Sequence, residues 1–108
     1  QNLLTTLDVS NNLDLTTLEV YDNQLTTLDI SNNINLTTLT CNDNQLITLD
    51  VSNNTNLTHF WCNNNNLTDL NLKNGNNSNL SFFHGENNSN LSQYFCHYQT
   101  VQVTNPVM

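Results

Sequence analysis

The sequence predicts an all-β solenoid, in which the chain winds into flattened coils of about 21 residues. Three consecutive segments align without a gap: LTTLDVSNNLDLTTLEVYDNQ (4–24), LTTLDISNNINLTTLTCNDNQ (25–45) and LITLDVSNNTNLTHFWCNNNN (46–66). Each segment divides into halves of 11 and 10 residues that both carry L-x-x-L-x-(V/I/C)-x-x-N, apart from Phe60 in the last half. Within each half, apolar and polar residues alternate, which is the pattern of a half-buried strand. Repetition at such a fixed period is the signature of a stacked architecture.

Each half of the repeat is expected to contribute one short strand, so that two parallel sheets face each other across the apolar side chains. The predicted strands are Leu7–Val9, Leu18–Val20, Leu28–Ile30, Leu39–Cys41, Leu49–Val51, Phe60–Cys62 and Leu70–Leu72. Asn-rich corners separate them, because Asn tolerates left-handed backbone geometry and can hydrogen-bond its own turn. A helix is not expected, since Asn, Thr and Asp at this density are poor helix formers.

Asparagine dominates the composition, with 25 residues beside 18 leucines. Such bias is typical of low-complexity chains, but the regular spacing of the leucines argues for a stacked fold. Stacking the coils aligns two asparagine columns: Asn12, Asn33 and Asn54, and then Asn23, Asn44 and Asn65. Buried polar groups need hydrogen-bond partners, so these side chains are expected to bond along the column and to the turn backbone. The asparagines are therefore interpreted as structural.

The repeat register loosens after Leu72, where the next repeat-starting leucines are Leu80 and Leu91. This change divides the chain into nested repeats over 1–72 and an irregular last coil with a C-terminal cap over 73–108. The chain opens at Gln1 inside a repeat and shows no signal-peptide pattern, so we interpret it as a mature or trimmed piece.

The charge balance restricts the partners. Nine acidic residues against the single Lys73 give a formal net charge of -8, which disfavours nucleic acid and anionic membrane surfaces. No segment reaches the apolar length of a membrane span, so no membrane insertion is expected. Three cysteines are too few for a disulfide framework. Cys41 and Cys62 share the inward column that begins with Val20, which favours small core residues over ligands or nucleophiles.

The motif L-x-x-L-x-L-x-x-N is that of leucine-rich repeats. The nested 10/11 form resembles the short bacterial class, and LTTLDVSNN with LTTL-x-C-x-x-N-Q is similar to repeats of secreted and surface proteins of Bacteroidetes such as flavobacteria. The resemblance covers residues 4–72 closely, and LKNGNNSNLSFFHGENNSNLSQYFC is similar to the segment that often closes such arrays. It implies an extracellular or cell-surface location and a ligand-binding or adhesive role, and it offers no catalytic residues.

The 11-residue halves place Asp8, Asp29 and Asp50 one coil apart on one face. Stacked like charges repel each other, which suggests either a bound cation or a solvated acidic face that blocks aggregation. A cation site needs six or more converging oxygens, and no acidic loop with Gly at its sharp turn occurs here. The pattern therefore favours the solvated face.

The 10-residue halves carry the candidate contact residues: Tyr21, His59, Trp61 and, on the irregular coil, Phe82 and His84. The repeat calls for small polar residues at these sites, so an exposed aromatic cluster predicts a surface for sugars or for another protein. The alternative is that the C-terminal segment folds over the rings as a cap, because terminal repeats need capping. His59 and His84 lack a third ligand for a metal site, so neither a metal nor another cofactor is expected.

The predicted function is a non-enzymatic extracellular binding or adhesion scaffold with a protein or glycan partner. No nucleophile–base pair, phosphate loop or metal-spacing motif points to an enzyme. The alternative is a structural subunit of an extracellular fibre, since a chain that begins in mid-repeat exposes strand edges that recruit other strands. Homo-oligomers or filaments would then form through the solenoid ends, by end-to-end stacking or strand exchange.

Overall fold

The computed structural model describes residues 2–73, 75 and 79–91, and these wind into a parallel β-solenoid of about three turns with coils of about 21 residues. The predicted fold class is therefore confirmed. Coil 1 comprises residues 4–24, coil 2 residues 25–45 and coil 3 residues 46–66, and residues 67–91 belong to the coil that follows. None of the described residues lies in a helix that is long and apolar enough to cross a membrane.

The described residues form six strands of three residues each. They are β1 (Thr17–Glu19), β2 (Thr38–Thr40), β3 (Thr48–Asp50), β4 (His59–Trp61), β5 (Asp69–Asn71) and β6 (Phe82–His84). Sheet A contains β1, β2, β4 and β6 in that order, and sheet B contains β3 and β5. Every pair is parallel. Strands β1 to β5 each begin one residue earlier than the alternation predicts, because the outward residue before the first apolar one joins the ladder, and β6 is an additional strand on the irregular coil.

Two of the predicted strands, Leu7–Val9 and Leu28–Ile30, do not form a ladder. Their burial still alternates as expected, but a gap of about 130 Å³ lies between the Leu7–Val9 segment and coil 2, and a gap of about 400 Å³ lies between the Leu28–Ile30 segment and coil 3. Like charges directly opposite each other on neighbouring strands are destabilising. In register, Asp29 would face both Asp8 and Asp50, whereas β3 pairs with β5, where Asp50 faces the neutral Asn71. We attribute the open ladder to this repulsion and call Asp8, Asp29 and Asp50 the acidic seam.

Each aspartate of the acidic seam is also a corner residue. A carboxylate oxygen accepts a hydrogen bond from the backbone N–H two residues later, at 2.9 Å for Asp8, 3.0 Å for Asp29 and 2.8 Å for Asp50. Asn71 accepts the same bond from Lys73 N at 3.0 Å. The hydroxyl and N–H donors of the following serines hold the pKa of Asp8 and Asp29 below the ordinary value. Among the described residues, no group of three His, Cys, Asp or Glu side chains is arranged to hold a metal ion.

The core lies between the two sheets and is built from stacked apolar columns. Its largest fully buried side chains are Phe60 and Phe83, whose ring centroids are 5.5 Å apart. Cys41 and Cys62 are completely buried free thiols, as predicted for small core residues. Burial raises the pKa of Cys41 to about 12 and that of Cys62 well above its ordinary value, so neither supplies a thiolate.

The buried asparagines join each coil to the previous one through the backbone, which confirms their predicted structural role. Asn65 Nδ2 donates to the carbonyl oxygens of Cys41 and Cys62, both at 3.0 Å, and its Oδ1 accepts from Leu46 N at 2.9 Å. Asn44 makes the corresponding bonds one coil earlier. In the other column, Asn33 and Asn54 donate to carbonyl oxygens of the preceding coil at 2.8–3.0 Å. Backbone carbonyl groups at the corners are thus paired across the coils and the coils are held in register, while Asn33 Oδ1 is buried without a hydrogen-bond partner among the described residues.

Candidate functional site

The outward face of sheet A brings the candidate contact residues together in columns that cross the coils. The first column is Thr17, Thr38, His59 and Phe82, the second is Glu19, Thr40, Trp61 and His84, and the third begins with Tyr21, Asn42 and Asn63. The segment from β4 to β6 is two residues longer than the 21-residue repeat, but the two strands still pair in the expected register. The expectation that Phe82 and His84 continue the columns is therefore confirmed.

The rings of the last two strands pair across the coils. The His59 and Phe82 rings are stacked, with centroids 4.6 Å apart and an interplanar angle of 23°. Trp61 and His84 meet edge to face, with centroids 5.1 Å apart and an angle of 84°. Such pairs contribute about 0.5–1.5 kcal/mol beyond the area they bury. They hold the rings in place on a partly exposed surface.

A groove of about 420 Å³ crosses this face, and we call it the aromatic groove. Glu19 and Tyr21 of coil 1 form one wall, and His59 and Trp61 of coil 3 form the other. Its floor belongs to coil 2, whose outward residues are all small or medium-sized, namely Thr38, Thr40 and Asn42. The groove exists because one coil that keeps the polar consensus lies between two coils that depart from it.

His59 is oriented by its neighbour in the chain. Its Nδ1 lies 2.8 Å from Thr58 Oγ1, and that hydroxyl donates to Thr37 O at 3.1 Å. Because the Thr58 hydroxyl lies within hydrogen-bond distance of both the ring and the backbone of the preceding coil, it fixes the orientation of the imidazole.

The floor of the aromatic groove contains polar atoms that lack a partner among the described residues. Thr40 Oγ1 and Asn42 Oδ1 are buried and accept or donate no hydrogen bond there. Thr40 is only 9% exposed although it points outward, since it lies in register between Glu19 and Trp61. Sequence reasoning missed these residues because they match the repeat consensus. The feature that could have identified them is that their side chains are smaller than those at the same positions of the coils on either side.

A scan against protein-family models matches none to this chain, and searches of curated proteins and of solved structures return no significant match. The observations that bear on function are consequently those of the chain itself.

The candidate rings are accessible from the outside. Tyr21 is 50% exposed, Trp61 39% and Phe82 52%, while His59 and His84 are half-buried. The alternative in which a C-terminal cap covers the rings concerns residues 92–108, which lie outside the described residues. The electrostatic character of the face is acidic: Glu19 lines the aromatic groove, Glu86 lies 3.8 Å from His84 Nδ1, and Lys73, the single lysine of a sequence without arginine, follows β5 of the other sheet.

Proposed function

We propose that this protein is a non-enzymatic extracellular binding or adhesion scaffold of the leucine-rich repeat type, and that the aromatic groove with its flanking rings is the contact surface. The observation that carries the proposal is the clustering of the residues that interrupt the polar consensus. Four of them, His59, Trp61, Phe82 and His84, fall on adjacent strands of one sheet. Exposed aromatic side chains grouped in this way are typical of binding surfaces.

The backbone that carries these residues favours binding without a costly rearrangement. Ladder bonds between β1, β2, β4 and β6 and the asparagine corners fix the position of each coil. A contact surface that is ordered before binding loses less conformational entropy when the partner arrives. The repeat region therefore serves as a rigid frame and the interrupted positions as the recognition elements.

The partner is a protein or a glycan, and nucleic acid is disfavoured by the net charge of -8. The extracellular location and the leucine-rich repeat assignment are supported by the L-x-x-L-x-L-x-x-N motif and its nested 10/11 spacing.

Replacing Trp61 by Ala tests the proposal. The protein and its variant are compared on immobilised glycans and on a panel of purified extracellular proteins, with affinities measured by biolayer interferometry. We expect the Trp61→Ala variant to bind its partner at least about tenfold more weakly, since central aromatic residues commonly contribute more than 1 kcal/mol.

The matched control is Leu13→Ala, which removes an apolar side chain that is 58% exposed and lies outside the aromatic groove. Affinity should survive this change. Unchanged binding by Trp61→Ala would reject the proposed surface, and an equal loss in both variants would indicate non-specific adhesion. Electron microscopy of the same samples checks the fibre alternative, which dispersed particles would contradict.

A further inference from the structure

We propose that the aromatic groove binds a neutral oligosaccharide, with a pyranose ring inserted between the wall of coil 1 and the wall of coil 3. This inference rests on the proposed function and specifies its ligand class.

The dimensions of the aromatic groove fit a small ring better than a protein surface. Coils one strand spacing apart put the backbones of the two walls roughly 10 Å from each other, with one coil of small side chains between them. The volume of about 420 Å³ falls within the range of about 300–1,000 Å³ typical of small-molecule sites. A stable protein partner would instead need about 800 Å² of complementary surface on each side.

The floor supplies hydrogen-bonding atoms that are not used within the described part of the chain. A buried polar atom without a partner costs about 1–3 kcal/mol, and Thr40 Oγ1 and Asn42 Oδ1 are two such atoms in one groove. Thr40 is the register neighbour of Trp61 on the same outward face, so its hydroxyl lies at the foot of the wall against which the ligand packs. A sugar offers adjacent hydroxyl groups that donate and accept. An aliphatic peptide side chain would leave both atoms unpaired.

The walls of the aromatic groove supply the apolar contacts with the sugar. A pyranose ring has C–H groups on its faces, and these pack against the electron-rich faces of aromatic rings. Tyr21 and Trp61 stand diagonally across the floor, on opposite walls. His84 contacts the indole from the next coil, on the side away from the floor, and thereby supports it.

The charge of the face selects neutral over acidic sugars. Glu19 contributes a carboxylate to the aromatic groove and can accept hydrogen bonds from sugar hydroxyls. The sequence has no arginine and its single lysine is Lys73, so neither a lysine nor an arginine lines the aromatic groove to pair with a uronate or sulfate group. An anionic chain would also approach a protein whose net charge is -8.

The experiment is isothermal titration calorimetry of the full chain with neutral hexaoses of glucose, xylose, mannose and N-acetylglucosamine, and with a hexamer of galacturonic acid. At least one neutral hexaose should bind, and the galacturonate hexamer should bind at least about tenfold more weakly. Trp61→Ala should lower the affinity by at least about tenfold, and Trp61→Phe should retain part of it. Thr40→Val should weaken binding by about tenfold without lowering the thermal midpoint, because it removes a hydroxyl that has no hydrogen-bond partner among the described residues.

The control is Thr27→Val, which removes an outward hydroxyl on the opposite side of the coil and should leave the titration unchanged. Neutral hexaose binding that resists Trp61→Ala or Thr40→Val would overturn the placement of the sugar. Stronger binding of the galacturonate hexamer would overturn the neutral class. If no hexaose binds but a protein partner binds in a Trp61-dependent manner, the oligosaccharide inference fails while the proposed function stands. If nothing binds through Trp61, both fail.

Discussion

A single buried asparagine holds several backbone groups of this solenoid at once. Asn65 donates to the carbonyl oxygens of Cys41 and Cys62 and accepts from Leu46 N, so its amide joins the corners of coils 2 and 3. A leucine has a similarly branched side chain but would leave these groups without partners. Asparagine is used here because its short amide offers two donors and an acceptor in one plane.

Asn65→Ala should therefore destabilise the fold by about 3 kcal/mol, because each buried group left unpaired costs about 1–3 kcal/mol. Urea denaturation followed by circular dichroism measures the change. The control is Asn66→Ala, which truncates the exposed neighbour and should change the free energy of unfolding by less than about 0.5 kcal/mol. Similar losses in the two variants would contradict the corner mechanism.

At the scale of the strand, the acidic seam separates coil 2 from both coil 1 and coil 3 on a face where the apolar pattern would bring all three together. The Asp29→Asn substitution should let coil 2 form ladders with coil 1 and with coil 3, since the new amide would face Asp8 and Asp50 without like-charge repulsion. The Asx bond to Ser31 N should persist, as Asn71 shows by accepting from Lys73 N. The gain of a few ladder hydrogen bonds should stabilise the fold by about 1–2 kcal/mol.

Amide hydrogen exchange resolves this prediction at the strand itself: protection should increase at Val9 and Ile30 in the Asp29→Asn variant, because the equivalent amides of Val20, Cys41 and Val51 already donate to carbonyl oxygens of the next coil. Asp69→Asn is the matched control, because it removes the same charge from β5 at a position that faces Thr48. Equal stabilisation by both variants would assign the effect to net charge rather than to the acidic seam.

The alternation within each half-repeat was sufficient to predict the inward residues, because a strand buries every second side chain whatever its neighbours are. It also placed Trp61 and His59 on one face. Whether a strand pairs depends on what faces it one coil away, so the missing ladders at Leu7–Val9 and Leu28–Ile30 could not be read from the alternation. The floor of the aromatic groove could not be predicted from the alternation for the same reason. Thr40 lies at the bottom of a groove only because the side chains on the adjacent coils are larger.

The molecule as a whole is a one-dimensional stack, in which each coil contacts the coils before and after it. A complete extra coil should therefore be accommodated without a change of register. Duplicating residues 25–45 after Gln45 repeats the junction sequence Gln–Leu and inserts a second copy of the groove floor. The unfolding free energy should be unchanged or higher, and small-angle scattering should show a particle longer by about 4.8 Å.

The same insertion distinguishes specific recognition by the aromatic groove from non-specific adhesion to its exposed rings. It moves the Tyr21 wall one coil further from the Trp61 wall while every ring and every floor residue remains. If the aromatic groove recognises a ligand by its width, affinity should fall by at least about tenfold, because a ring can then contact only one wall. Duplicating residues 4–24 ahead of Leu4 lengthens the stack equally but keeps the original groove, so that variant should bind as the unaltered protein does. Equal binding by both duplications would mean that the spacing of the walls is not what the partner recognises.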